Sequence, residues 1–414
     1  DAESFVAAIA ANPADDLPRL VFADWLDENG DPARAGFIRD HIALTKLRPG
    51  TDAYKTLFRK CADTLRANLP AWIQPACAIF GRPTGWKPRK VIAGRFGIEL
   101  EHWHMTQLHS LEFSRGFIGS VILDLLYTGD LKKCEMLTST HPITHVIALF
   151  PPGSLPDIST STFLQHVRAL TLAALPAQEL KILELFNSPQ MQAVTHLGIG
   201  TAIHAKALVR SVTAHRIKKL RTLADADILR ELAEFPLDDQ LQEYLLVSDD
   251  RPSRQLTPEG WSSLSRVAFR PTLKRLDLTR CGMTDDGLAA FARGEEWVRL
   301  QGLKLGGNLF GDRGWADFCR GWRTPELTYL DASRNRLTDA GAEMLSRSGM
   351  LKTLRVIDLR GNRIAGRGAV ALARAVAEAK VNRLLLAGNP LGKREAATVK
   401  GLLGERTDLA SGAT

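Results

Sequence analysis

Two strings near the C-terminus come close to a phosphate-binding loop. Ala387-Gly-Asn-Pro-Leu-Gly392-Lys393-Arg394 follows a predicted strand, precedes a predicted helix and departs from the nucleotide-binding pattern only in its last position. That position must offer a Ser or Thr hydroxyl to magnesium, which Arg394 cannot do; Gly361-Asn-Arg-Ile-Ala-Gly366-Arg367 is the same accident upstream. His102-Trp-His104 and His141-x-x-x-His145 have metal-like spacing, but no carboxylate or Cys stands beside either pair, and Pro142 argues against a helix across the second. Asp24 and Glu28 share a helical face around Trp25, with Asp27 next to them; without a His or Cys nearby they read as solvated acids beside a buried Trp. Residues 81–95 carry Arg82, Trp86, Lys87, Arg89, Lys90 and Arg95 and no acid, the types that contact phosphates and stack on a base; the alternative is a solvated linker. No G-x-S-x-G elbow, H-E-x-x-H helix or convincing dinucleotide fingerprint occurs, so the chain is not expected to be an enzyme and no catalytic residue, metal ligand or cofactor is assigned.

Composition narrows the class. The 414 residues are 45% hydrophobic and 24% charged, which excludes disorder, collagen and a small disulfide scaffold. A formal charge of +8 permits a polyanionic partner without requiring one. The cysteines at 61, 77, 134, 281 and 319 form no C-x-x-C pair and read as reduced packing residues. No stretch approaches the ~18 apolar residues that span a bilayer, and no secretory leader is legible, so no membrane partner and a cytoplasmic location are expected.

What must position any surface chemistry is a repeat. The segments Leu273-x-x-Leu276-x-Leu278, Leu300-x-x-Leu303-x-Leu305, Leu327-x-x-Leu330-x-Ala332, Leu354-x-x-Ile357-x-Leu359 and Val381-x-x-Leu384-x-Leu386 keep one register, 27 residues apart. Three further columns hold it: Cys281/Asn308/Asn335/Asn362/Asn389, Met283/Phe310/Leu337/Ile364/Leu391 and Gly287/Gly314/Gly341/Gly368, the last lapsing at Glu395. Each unit reads as a short strand with its leucines inward, a turn in which the Asn bonds backbone groups that leave the ladder, and a helix opened by Thr or Asp. This pattern resembles the leucine-rich repeat of the ribonuclease-inhibitor-like subclass over roughly residues 270–395. The resemblance implies an α/β solenoid, a right-handed, horseshoe-like βα superhelix.

Degraded copies continue upstream at Leu108-x-x-Leu111-x-Phe113, Ile143-x-x-Val146, Val167-x-x-Leu170-x-Leu172, Val194-x-x-Leu197-x-Ile199, Ile217-x-x-Leu220 and Leu241-x-x-Tyr244-x-Leu246. One solenoid from near 105 to near 405 is expected, the alternative being a separate α/β middle domain. The N-terminal residues read as helices, with apolar stripes at Phe5, Val6 and Ile9 and at Leu17, Leu20, Val21, Trp25 and Leu26. The string from Asp15 through Asp24-Trp25-Leu26-Asp27-Glu28-Asn29-Gly30-Asp31-Pro32, followed by Gly36-Phe37-Ile38-Arg39, resembles the repeat-companion domain found beside leucine-rich repeats in planctomycete families; Ser114-Arg-Gly-Phe117 resembles the first repeat of such proteins. That resemblance implies a fold and an interaction role, with no enzymatic activity. The expected organisation is a helical module at 1–48, a helical cap and basic connection at 49–104, degenerate repeats at 105–255, regular repeats at 256–405 and a tail at 406–414.

The residues between the strand leucines then write the concave face. In the regular repeats they include Arg275, Asp277, Lys304, Tyr329, Asp331, Asp358, Arg360 and Arg383; upstream they are Glu112, His145, Thr171, His196, Lys219 and Arg221. Mixed signs around one aromatic suit a protein surface better than a phosphate backbone. The excess positive charge falls instead on outer turns and helices, at Arg363, Arg367, Arg374, Lys380, Lys393, Arg394 and Lys400. A noncatalytic scaffold binding a partner protein on that face is expected, acting as regulator or inhibitor of an associated enzyme in bacterial signalling or defence by analogy with the repeat class. The competing expectation is a basic accessory subunit that binds RNA or DNA.

Overall fold

The computed structural model describes residues 1–47, 51–80, 90–93, 98–101, 108–124, 128–149, 161–173, 179–236, 240–248, 256–264, 266–294, 297–322 and 324–409. Two compact units divide the chain, Asp1–Gly198 and Ile199–Thr414. The basic candidates Arg82, Trp86, Lys87, Arg89 and Arg95, and His102 and His104, lie outside the described residues. Lys90 opens a strand.

The first unit begins with five helices, α1 (Ala2–Ala11), α2 (Leu17–Glu28), α3 (Pro32–Lys46), α4 (Asp52–Trp72) and α5 (Gln74–Phe80). Their starts are chemically marked. Asp1, Asp31 and Thr51 accept hydrogen bonds from the amides of Ser4, Arg34 and Tyr54, and Pro32 occupies the first turn of α3, where no amide is needed. Val6, Ile9, Phe22, Ala23, Leu26, Ala35, Ile38 and Ile42 form a shared core. Asp24 and Asp27 both hold Arg39, at 2.6 and 2.7 Å, and join α2 to α3 through an exposed contact. The acids read as solvated are thus solvated partners of the Arg39 in the same string, and Trp25 is half-buried.

Four strands follow, β1 (Lys90–Ala93), β2 (Ile98–Glu101), β3 (Leu108–Ser114) and β4 (Phe117–Asp124), each antiparallel to the next. This corrects the expectation of a repeat strand at Leu108–Phe113. The tight Arg115-Gly116 turn reverses the chain at once, and a two-residue connection can join only antiparallel strands. Parallel pairing starts at β4 and runs through β5 (His145–Leu149), β6 (Ala169–Ala173) and β7 (His196–Ile199), with α6 (Thr128–Thr140) and α7 (Glu179–Asn187) between them.

The β3–β4 hairpin is where the helical module docks. Phe117 enters the module core and packs on Phe22, while Phe37 meets both Trp72 and Phe113. Arg115, in a left-handed conformation (φ 48°), donates to the carbonyls of Pro13 and Ala14 at 3.1 and 2.9 Å. The Gly116 amide donates to Nδ1 of buried His41 at 3.2 Å. The Ser114-Arg-Gly-Phe117 string is therefore the joint between the module and the first strands.

Burial holds His41 neutral down to about 4, with Arg115 adding repulsion, and lowers His141 to about 3, with Arg34 adding to it. Both start from an ordinary value of 6.5. In the unfolded chain these rings take up protons first. Stability of the first unit should therefore decline as pH falls from about 6.5 towards about 4, by up to ~1.4 kcal/mol per pH unit for each histidine. Urea titrations across that range check the slope, and His41→Gln should flatten it.

The second unit contains α8 (Ala202–Val209), β8 (Lys219–Leu223), α9 (Ala226–Glu231), β9 (Glu243–Val247) and α10 (Pro258–Leu264). The regular repeats follow: β10 (Arg275–Asp277), α11 (Asp285–Ala292), β11 (Gly302–Lys304), α12 (Asp312–Gly321), β12 (Tyr329–Asp331), α13 (Asp339–Ser346), β13 (Val356–Asp358), α14 (Gly366–Glu378), β14 (Arg383–Leu385), α15 (Lys393–Leu403) and the short β15 (Thr407–Asp408). All strands from β8 to β15 pair in parallel, and Leu276, Leu303, Leu330, Ile357 and Leu384 lie in register with no more than 1% exposure. These leucines form one apolar stack that no single repeat could bury by itself.

The remaining columns have separate causes. Asn308 accepts from the amides of Cys281 and Met283 and donates to the carbonyls of Leu278 and Leu305, all at 2.9–3.0 Å. At the head of that column the Cys281 thiol donates to the Leu246 carbonyl at 3.2 Å, in the role of an asparagine amide. The glycine column has a steric cause: a Cβ at Gly314 or Gly368 would stand 2.6 or 2.4 Å from the backbone of Asp285 or Asp339, one repeat back. These aspartates reach forward, Asp285 to the amides of Gly311 and Gly314 and Asp339 to that of Ala365. In the last repeat the two positions exchange sizes. Glu395 takes the glycine place and Gly366 the aspartate place, where a Cβ would meet the Glu395 side chain at 2.3 Å.

The residue before the Asn column is left-handed throughout, as Arg280, Gly307, Arg334, Gly361 and Gly388. Arginine is strained there, so Arg334→Gly should raise stability by about 0.5–1 kcal/mol, read as a higher urea midpoint at unchanged slope.

Candidate binding face

Register puts the outward residues of the second unit into two rows. The first runs Lys219, Glu243, Arg275, Gly302, Tyr329, Val356, Arg383; the second runs Arg221, Leu245, Asp277, Lys304, Asp331, Asp358, Leu385. All eight residues expected to write the face stand in these rows or, for Arg360, just beyond them. Signs alternate over Lys219, Glu243 and Arg275 in the first and over Asp277, Lys304 and Asp331 in the second, where Asp358 then follows Asp331 with the same sign. Glu243 is held by Lys219 at 2.8 Å and by Arg275, and Asp277 is held by Lys304 at 3.2 Å. Arg383 makes no ion pair among the described residues.

The aspartates have a second job that spacing alone did not show. Asp277, Asp331 and Asp358 each accept the backbone amide two residues on, from Thr279, Ser333 and Arg360, at 2.9–3.1 Å. They end their strands with local turns, and so their carboxylates are fixed before any partner arrives. Asp358 is 2% exposed and is chelated by the Arg360 guanidinium, so it presents the arginine rather than its own charge. The hydrogen bond to Asp358 raises the Arg360 pKa further.

Tyr329 stands at the middle of the face. Its strand neighbours are Gly302, whose missing Cβ would stand 3.4 Å from Arg275 Cγ, and Val356. Burial first, then Asp331 and Asp358, push the phenol up to about 12, so it remains a hydrogen-bond donor at neutral pH. Burial likewise raises Asp331. The cations expected outside this face are exposed: Arg363, Arg367, Arg374, Lys380, Lys393, Arg394 and Lys400.

A family model described as Leucine Rich repeat matches residues 271–292, 325–346 and 351–373. The fold is a leucine-rich repeat solenoid. Similar solved structures include a chain of the yeast Rad7 and Elc1 complex, at 13% identity over 64% of this chain and 74% of that one, TM-score 0.38. An internalin from Listeria monocytogenes matches at 13% identity over 71% and 87%, TM-score 0.34. The TLR13–ssRNA13 complex matches at 14% over 65% and 53%, TM-score 0.28. No curated protein matches.

The other chemical candidates resolve into parts of the repeat. Gly388 and Asn389 of the phosphate-loop mimic are the left-handed residue and the ladder asparagine, whose Nδ2 donates to the Leu359 and Leu386 carbonyls. His141 is buried, and its pair partner His145 meets the Thr144 hydroxyl at 2.8 Å. All five cysteines are free thiols. Among the described residues no cluster of His, Cys, Asp and Glu is arranged to hold a metal, and no helix is long and apolar enough to cross a membrane.

Proposed function

We propose that the protein is a noncatalytic interaction scaffold and that the strand face of its second unit docks a partner protein around Tyr329. The observation that carries this reading is the preset row Asp277, Lys304 and Asp331, with Arg360 just beyond it, beside a half-buried tyrosine. An aromatic anchor within charges already held in place loses little freedom on binding, which is the arrangement that concentrates affinity in a few residues. Mixed signs oppose a phosphate backbone, which favours a continuous basic stripe. A regulatory role would follow from occupation of this face.

Native partners captured on wild-type protein should be lost from Tyr329→Ala and from Lys304→Glu, with affinity reduced about 30-fold or more, while Arg374→Ala on the outer surface binds as before. Retention by both face variants would place docking elsewhere. Salt-sensitive gel shifts of RNA or DNA, unaffected by the face variants, would favour the nucleic-acid reading instead.

A further inference from the structure

A second feature lies in the first unit. A cavity of about 320 Å³ opens where the loop after α1, helices α2 and α3, the β3–β4 hairpin and the start of β5 meet. Arg19, Arg115, Arg168 and His145 line it together with Thr45 and Thr144, and among the described residues no carboxylate is in its walls.

The arginines are placed at some expense to the fold. Arg19 is 5% exposed; one Nη donates to the Asp15 carbonyl at 2.8 Å, but its buried Nε has no partner. A buried guanidinium nitrogen left so is unfavourable unless something satisfies it. Arg115 is held in left-handed backbone and repels Arg19. Asp16 approaches Arg115 at 3.3 Å and Lys46 at 3.9 Å, and Asp15 and Asp16 act on Arg19 from a distance. Arg168 has no ion-pair partner among the described residues. Burial lowers Arg19 only to about 10, so three cations surround the space at neutral pH.

We propose that this cavity binds the phosphoryl group of a small phosphomonoester, with Arg19, Arg115 and Arg168 as its hydrogen-bond donors. Guanidinium forks match phosphate oxygens in geometry, and three of them suit a dianion with three free oxygens better than a carboxylate with two. The volume is that of a small-ligand pocket.

The full chain should be titrated calorimetrically with inorganic phosphate and glycerol 3-phosphate, against succinate and chloride at matched ionic strength. Both phosphates should bind one to one, with succinate at least about tenfold weaker. Arg168→Gln, at a half-buried position, should weaken them at least tenfold while leaving the ligand-free melting temperature unchanged; Arg19→Lys gives a second reading where packing tolerates it. Binding of succinate as tight as phosphate, absence of binding by either phosphate, or full retention in Arg168→Gln would overturn the assignment. A phosphoserine peptide binding more than tenfold tighter than glycerol 3-phosphate would also overturn it, by making the ligand part of a protein.

Discussion

Asn362→Ala should destabilise the second unit by about 2–4 kcal/mol. The side chain makes four buried bonds. Its Oδ1 accepts the amides of Asn335 and Leu337 at 3.2 and 3.1 Å, and its Nδ2 donates to the carbonyls of Ala332 and Leu359 at 3.0 and 2.9 Å. Alanine leaves the amides of Asn335 and Leu337 without a partner, whereas the Ala332 and Leu359 carbonyls still accept from Asn335 and Asn389; 5% exposure at the site limits replacement by water, and each orphaned amide carries a desolvation penalty. The same ladder supplies its own control. At Asn335 the Nδ2 is bonded to Leu305, Ala332 and Ser333, but Oδ1 has no partner. Asn335→Ala should therefore cost less than Asn362→Ala, by about 1–2 kcal/mol. Urea denaturation followed by circular dichroism measures both; equal losses would mean that the amides beneath Asn362 are satisfied in some other way.

That contrast shows which physics a linear sequence displays. The leucine and asparagine columns were legible because each acts within its own unit or on an adjacent one, at a fixed interval that shows as a fixed residue type. The glycine column was equally visible, yet its cause was not, since it lies in the approach of one helix start to the backbone of the repeat before it. The exchange between Gly366 and Glu395 looked like a lapse in one column until packing joined it to a gap in another. Spacing carries the rows in which the face residues stand, while the turns made by Asp277, Asp331 and Asp358 and the burial of Asp358 depended on side-chain directions that spacing does not carry. The antiparallel start was misread because Leu108-x-x-Leu111-x-Phe113 satisfies the repeat pattern, and only the short Arg115-Gly116 turn distinguishes a hairpin. The arginine cavity had no signal at all: its walls come from positions 13 to 168, brought together by the docking of the helical module.

Gly116→Ala tests that docking directly and should destabilise the first unit by about 2–4 kcal/mol. Two independent terms add. Gly116 has φ 89°, a backbone region that costs an alanine about 1 kcal/mol. Its new Cβ would also stand 2.4 Å from Ile38 Cγ1 and 2.9 Å from Ile38 Cα, and the backbone atom cannot swing aside as a side chain could. Relief requires the hairpin to lift from α3, which lengthens the 3.2 Å bond from the Gly116 amide to His41 and withdraws Phe117 from its contact with Phe22. The damage should consequently be local. Amide exchange in α2 and α3 should accelerate, and limited proteolysis should cut first within the module, while residues 275–403 retain wild-type protection. Uniform acceleration across both units would instead show that the hairpin supports the whole chain. Because lifting the hairpin opens His41 to solvent and carries Arg115 away from it, the decline in stability below pH 6.5 should also become shallower in this variant, a change that a purely steric defect elsewhere in the unit would not produce.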